Sequence, residues 1–243
     1  PLFLGTSKNA RSCEMLNPEV LDFKLDFSGN FDVLSNKPLR IRNNALGYNI
    51  TFFIEQFFAN ADGNIRYSGD AHFEILEPKD QEQKKQWAEN RKQTWQGSMA
   101  HFFNAVIHDR IEEQGFIVYK ISSPLQMADR FKREAVASTE LHAPALKDHE
   151  SLITLPPYLL VVYTREPEIP EFTEQLEDTY VSRLAARYPS SQVSILETKA
   201  GEILATKNGY LYFPTLTKRR GHWALTRIAD MLPMDYSPPG GDN

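Results

Sequence analysis

The clearest signal in the chain is period-two alternation. Leu21, Phe23, Leu25 and Phe27 alternate with Asp22, Lys24 and Asp26, so Val20 to Phe27 reads as a half-buried strand. Ser28-Gly29-Asn30 is a turn, Phe31 to Ser35 a short strand, and Leu39 to Arg42 another after the break at Asn36-Lys37-Pro38. Asn44-Ala45-Leu46-Gly47 is a further turn. Tyr48 to Phe58 and Ile65 to Leu76 are long strands joined by a loop at 60–64 rich in residues that tolerate positive φ. Ile65, Tyr67, Ala71, Phe73 and Ile75 face inward on the second of these, and Arg66, Ser68, Asp70, His72 and Glu74 face outward. Short loops between successive strands predict antiparallel neighbours.

The period then changes to that of helices. Asp80 followed by Gln83 has capping-box form and opens a helix from about Gln81 to Gln96. Gly97 interrupts, and Ser98 caps a second helix running to Gln114, with Met99, Phe102, Phe103, Val106 and Ile107 as its apolar stripe. Phe116 to Ile121 is a strand, and Gln126 to Ala137 a candidate helix in a stretch with little pattern. Tyr158 to Tyr163 is apolar on both faces, the mark of a central strand. A helix over Glu174 to Arg187, strands at Gln192–Glu197, Glu202–Thr206 and Tyr210–Phe213 and a short helix over Trp223–Met231 complete the reading, with Asn208-Gly209 as a hairpin turn. The expected fold is α+β, mostly antiparallel meanders with a central pair of helices on one sheet face. It spans 1–243 as one domain, with residues 78–98 as the seam if it parts into two lobes and 237–243 as a disordered tail.

Composition adds limits. With 243 residues, 41% hydrophobic, the chain has enough apolar material for a sizeable core. Lys and Arg number 27 against 32 Asp and Glu, a formal net charge of −5, which speaks against nucleic acid as the main partner. No apolar run approaches the roughly 20 residues needed to span a bilayer. Cys13 is the single cysteine, so no intramolecular disulfide forms, and its neighbours offer no base or metal cluster. The opening Pro1-Leu2-Phe3-Leu4-Gly5 has no initiator Met and reads as a processed or cut chain.

Several segments, taken in order, resemble the region downstream of a carboxypeptidase-regulatory-like β-domain in secreted proteins of Gram-negative bacteria. They are Phe3-Leu4-Gly5 with Asn9-Ala10 and Cys13, Leu16 to Leu21, Pro38 to Ile41 with Leu46-Gly47-Tyr48, and Tyr67-Ser68-Gly69 before Phe73. Gly97-Ser98 with His101-Phe102-Phe103, Gly115-Phe116 and Ile228 to Pro233 continue the series. The resemblance implies an exported protein, periplasmic or outer-membrane associated, with an upstream β-domain in the full-length protein. The carboxypeptidase label belongs to that upstream domain, and no catalytic residue is carried over.

No H-E-x-x-H, G-x-S-x-G, P-loop or dinucleotide-binding motif is present. Asp70-x-His72-x-Glu74 places three potential ligands in a row on one strand face, about 7 Å apart, with Glu55 as the neighbouring-strand candidate. It supports an alternative reading as a metal-dependent hydrolase, although it reads more simply as a wet strand face. His101, His108 and Glu112 lie on one helical ridge opposite the apolar stripe, a solvated face. His142, Asp148, His149 and Glu150 have no recognised metal spacing. Trp87, Arg91 and Trp95 repeat at i, i+4 and i+8, so two indoles flank a guanidinium along one helical face, an arrangement that can hold a sugar ring or a partner's aromatic side chain. Lys218-Arg219-Arg220 is a basic run suited to a solvated loop or an anionic partner such as envelope glycan. The expected function is a non-catalytic envelope or exported module that binds protein or carbohydrate, with no cofactor. A scaffold that docks the upstream domain is a weaker reading.

Overall fold

The computed structural model describes residues 2–61, 65–122, 134–143, 147, 149–169 and 180–239. It has mixed α+β architecture with antiparallel sheets. The chain divides into two compact units, one of residues 1–93 with 227–233 and the other of 94–226 with 234–243.

The first unit is built on one sheet. Its strands are β1 (Cys13–Met15), β2 (Asp22–Leu25), β3 (Phe31–Leu34), β4 (Leu39–Asn43), β5 (Tyr48–Ala59) and β6 (Ile65–Ile75), in the order β1-β4-β5-β3-β2 with β6 on β5. Because β6 pairs β5 along its whole length, β3 and β4 share the opposite edge of β5. β4 takes Tyr48 to Phe52 and β3 takes only Phe58 and Ala59, which leaves a gap between them. A register shift between Ile54 and Gln56 bends β5 at that gap. Alternation buries Leu39, Ile41, Ile50 and Phe52 on the inner face.

Helix α1 (Gln81–Trp95) begins as expected, with the Gln83 N–H donating to Asp80 Oδ1 at 2.7 Å. Trp87 packs onto the 44–47 turn and donates Nε1–H to Asn44 O at 2.8 Å. Gly47, at φ +69°, permits this approach, since a Cβ there would lie 2.3 Å from the Trp87 ring. Residues 228–230 form a 3₁₀ turn that closes the unit. There Asn43 Nδ2 donates to Ala229 O, and Asp230 Oδ1 accepts from Ser7 and Asn9.

The second unit contains α2 (Met99–Ile107), β7 (Phe116–Lys120), β8 (Glu134–Ala135), the helical turn α3 (Ser138–Leu141), β9 (His142–Ala143), β10 (Glu150–Thr154) and β11 (Tyr158–Tyr163). α4 (Tyr180–Arg187), β12 (Gln192–Thr198), β13 (Glu202–Thr206), β14 (Thr217–Gly221) and the turn α5 (His222–Leu225) follow. The main sheet runs β14-β12-β11-β7-β8, and β13-β10-β9 form a smaller one. β11 is central, and both of its faces are covered: Leu159 and Val161 pack in a core with α2, Leu160 and Val162 in a core with Val181 and Ala185 of α4. A strand buried on both sides must be apolar throughout, which is why its sequence shows no alternation.

Four expectations are corrected. The second helix ends at Ile107 rather than Gln114, where the chain turns through Asp109 at φ 56°. Tyr210–Phe213 is not a strand; only Leu211 bridges to Ala205. Thr217–Gly221 is a strand that the sequence hides, because its Lys-Arg-Arg run lacks alternation. The expected final helix is two short turns separated at Thr226-Arg227. Residues 123–133 and 170–179, which hold most of one candidate helix and the start of another, lie outside the described residues, as does the tail from 240.

The Gly47–Trp87 contact makes a quantitative prediction. Gly47→Ala is expected to destabilise the first unit by about 2–4 kcal/mol, from left-handed strain plus displacement of the indole. Gly29→Ala, also at positive φ but with its nearest neighbour at an ordinary 3.4 Å, costs only about 1 kcal/mol. Urea unfolding of the two variants measures the difference.

Candidate functional site

The edge hairpin of the first unit is where the sequence and the packing diverge. β2 is the last strand of its sheet, and all four of its residues are exposed. Phe23 is 52% exposed, Leu25 75% and Phe27 fully so. The alternation is real, but the apolar face it creates is largely uncovered, correcting the half-buried expectation. Covering one such side chain gains about 1.5–3 kcal/mol, so the hairpin forgoes several kcal/mol as it stands.

The exposure does not come from a loose loop. Asp26 Oδ1 accepts from the Ser28 and Asn30 N–H groups and Oδ2 from Asn30 Nδ2, all within 2.9 Å. These bonds, with the Asn30 side chain first among them, hold the Asp26 carboxyl below its ordinary range. The turn that carries Phe27 is therefore pinned at its base. On the other side of the hairpin, Leu34 is 47% exposed.

The sheet gap beside the hairpin forms a groove of about 610 Å³. Val20, Val33, Leu34 and Ile54 give it apolar walls, and Glu19, Asp22 and Glu55 outnumber Lys37 on its polar lining. The groove adjoins the Asp22–Leu34 end of the hairpin on the β5 side of β3, away from Phe27 at the turn.

The residues singled out from sequence are placed elsewhere. Trp87 is buried, and Arg91 donates Nε–H to Leu46 O at 2.7 Å and stacks 4.1 Å over the Tyr48 ring. Both secure the helix to the 44–47 turn and present no open aromatic platform. Trp95 belongs to the second unit, is buried, and packs on His101 at 4.1 Å. As a ligand-binding trio these three are corrected: helical spacing brought them to one face, and that face is packed.

Asp70, His72 and Glu74 stand on the exposed face of β6, as the alternation predicts. The register sets Phe53, Thr51 and Asn49 opposite them, so the paired strand offers no carboxylate or imidazole. Glu55 sits in the bulge, opposite none of the three. Among the described residues no group of three or more His, Cys, Asp or Glu side chains is arranged to hold a metal ion. His149 is exposed, while the His142 side chain and Asp148 lie outside the described residues. Burial and nearby Asp230 push the half-buried Cys13 thiol up to about 12, far from a reactive thiolate.

The second unit gathers polar side chains that the sequence did not reveal. His101, expected on a solvated ridge, is 1% exposed. His108 and Glu112 are exposed as expected, so only the first member of that ridge is interior, where α2 starts beside Trp95, Phe116 and Tyr163. His101 Nδ1 accepts the Gly97 N–H at 3.0 Å, which leaves Nε2–H to donate to Gln114 Oε1 at 3.1 Å. Burial pulls its pKa down to about 4, so the ring is neutral. Gly97 O accepts from Trp223 Nε1, and a Cβ on Gly97 would meet Gln192 Oε1 at 2.4 Å.

In the same unit, Glu168 Oε1 lies 2.6 Å from His222 Nδ1, with the Glu168 side chain only 5% exposed. Glu166 accepts from Gln192 Nε2, and burial raises its pKa. A buried carboxylate that orients an imidazole is one half of a general-base arrangement. Ser194, opposite Gly221 in the β12–β14 register, accepts from the Trp223 N–H and serves the backbone. The pair thus fastens α5 to the 166–169 segment. The hint in the sequence is the acidic, proline-punctuated Glu166-Pro167-Glu168 two residues beyond the Tyr158–Tyr163 strand.

Among the described residues no helix is long and apolar enough to cross a membrane. Comparison with protein-family models, curated proteins and solved structures yields no match.

The neutral His101 sets a pH dependence. Its folded pKa lies below the ordinary 6.5, so below that value the unfolded chain binds more protons than the native one. The stability from keeping it neutral is present above pH 6.5 and is lost as pH falls toward 4. Between pH 7.5 and pH 5 the second unit should lose about 2 kcal/mol from this group. His101→Gln should flatten that part of the stability profile in urea unfolding.

Proposed function

We propose that this chain is a non-catalytic binding module of an exported or envelope protein, and that it binds protein through the β2–β3 hairpin. The hairpin takes an extended segment of a partner, which adds as a strand along the open edge of β2. The observation that carries the reading is the combination of a β2 edge that pairs no other strand among the described residues with Phe23, Leu25 and, in the turn that follows, Phe27 exposed to solvent, the turn being fixed by Asp26. Strand addition uses these two features, backbone pairing for affinity and alternate side chains for specificity.

The chemistry of the partner follows from charge. Asp22, Asp26 and Asp32 outnumber Lys24 on the hairpin, and the adjoining groove is acidic. A second copy of this chain would bring like charges together, so the favoured occupant alternates apolar and basic residues. Carbohydrate is disfavoured because Trp87 and Trp95, the indoles that would stack on a sugar, are buried. The exported or envelope setting rests on the segment resemblance alone.

Fluorescence anisotropy with labelled ten-residue peptides tests the reading. Peptides of alternating Val and Lys should bind, and peptides of alternating Val and Glu should not. Leu25→Lys with Phe27→Lys, at positions that bury little in the free protein, should weaken binding at least about tenfold. Equal binding of both peptides, or binding indifferent to the double variant, contradicts it.

A further inference from the structure

The second unit carries an exposed apolar turn beside a basic strand. Tyr212, Phe213, Pro214, Thr215 and Leu216 are five consecutive exposed residues, with Phe213 61%, Leu216 47% and Tyr212 40% exposed. The turn is fastened at several points. Tyr212 N–H donates to Leu204 O at 3.0 Å, Thr217 Oγ1 to Pro214 O at 2.8 Å, and Thr198 Oγ1 to Leu216 O at 2.9 Å. A stiff turn therefore projects two aromatic rings and one aliphatic side chain into solvent.

Lys218, Arg219 and Arg220 follow immediately on β14, the edge strand of the main sheet. Lys218 and Arg220 lie 3.6 and 3.7 Å from Glu197. Glu197 is only 13% exposed, against 63% for Lys218 and 44% for Arg220, so an approaching surface meets the cations first. On a chain of net charge −5 this is a local inversion of sign.

We infer that Tyr212, Phe213 and Leu216 insert into the interfacial layer of an anionic lipid bilayer while Lys218 and Arg220, which share one face of β14, contact its headgroups. Aromatic rings with an aliphatic side chain, flanked by basic residues, match the apolar-to-polar gradient of a membrane surface. The basic strand supplies the attraction to negative lipid. A nucleic acid or soluble polyanion would use the cations but gain little from Leu216, and a projecting turn gives it no cleft. The inference concerns a surface of the second unit and is independent of the strand-addition reading.

Vesicle flotation with the full chain tests it, using phosphatidylcholine alone and phosphatidylcholine with about one-third phosphatidylglycerol. The chain should float with the anionic vesicles only, and less so as salt rises. Phe213→Ser with Leu216→Ser should reduce binding at least about tenfold. Lys218→Gln with Arg220→Gln should reduce it about tenfold. Met234→Ser, which removes a different exposed apolar side chain of the same unit, should leave it unchanged, and circular dichroism confirms that each variant is folded. Absence of flotation, equal binding to neutral vesicles, or binding that survives Phe213→Ser with Leu216→Ser overturns the inference. Retention on heparin without vesicle binding also overturns it, in favour of a soluble polyanion.

Discussion

Every backbone N–H and C=O in a sheet requires a partner, and among the edges of the first sheet, β1, β6 and β2, the outer edge of β2 is the one whose residues are all exposed. Natural proteins shield such edges with charge, proline, bulges or cover, because an open edge with apolar side chains invites pairing. Here the bulge is in β5, away from the edge, and β2 carries Phe23 and Leu25 with only Asp22 and Lys24 between and beside them. The binding proposal is an account of what that edge is for. It does not depend on any reactive group, and the Trp87–Arg91, His101–Trp223 and Glu168–His222 clusters each have a structural partner.

Those clusters work as fasteners. Arg91 and Trp87 hold α1 to the 44–47 turn through backbone carbonyls. His101 and Trp223 hold Gly97, whose N–H and C=O lie in a buried chain reversal and need a partner each. Glu168 and His222 hold α5 against the 166–169 segment. In each case the cost of leaving a buried polar atom without a bond, about 1–3 kcal/mol, is what the side chain removes.

The sheet framework was legible in the sequence because alternation follows directly from the pleat. β4, β5, β6 and β11 begin and end within a residue or two of their expected bounds, and Ser98 caps α2 through the His101 N–H. β14 was not legible, since Lys218, Arg219 and Arg220 alternate in direction but not in polarity. The candidate site was half legible. Alternation in Val20–Phe27 marks a strand with an apolar face, but whether anything covers that face is a tertiary fact that no local pattern encodes. Trp87, Arg91 and Trp95 fail for the same reason in reverse: spacing reveals a shared face, and packing decides that the face is interior. His101 was misplaced because one apolar stripe suggested a surface helix, whereas the first turn of α2 is buried among the Trp95, Phe116 and Tyr163 rings and only its later turns reach solvent.

Hydrogen–deuterium exchange on the β2 amides tests the central claim most directly. The account predicts that the outward amides of β2, those of Phe23 and Leu25, exchange in the free protein at least about tenfold faster than those of Tyr48–Phe52 in β5, and slow when an alternating apolar–basic peptide is bound. Protection of these two amides in the free protein equal to that of β5 would mean the edge is already covered, and would contradict the account.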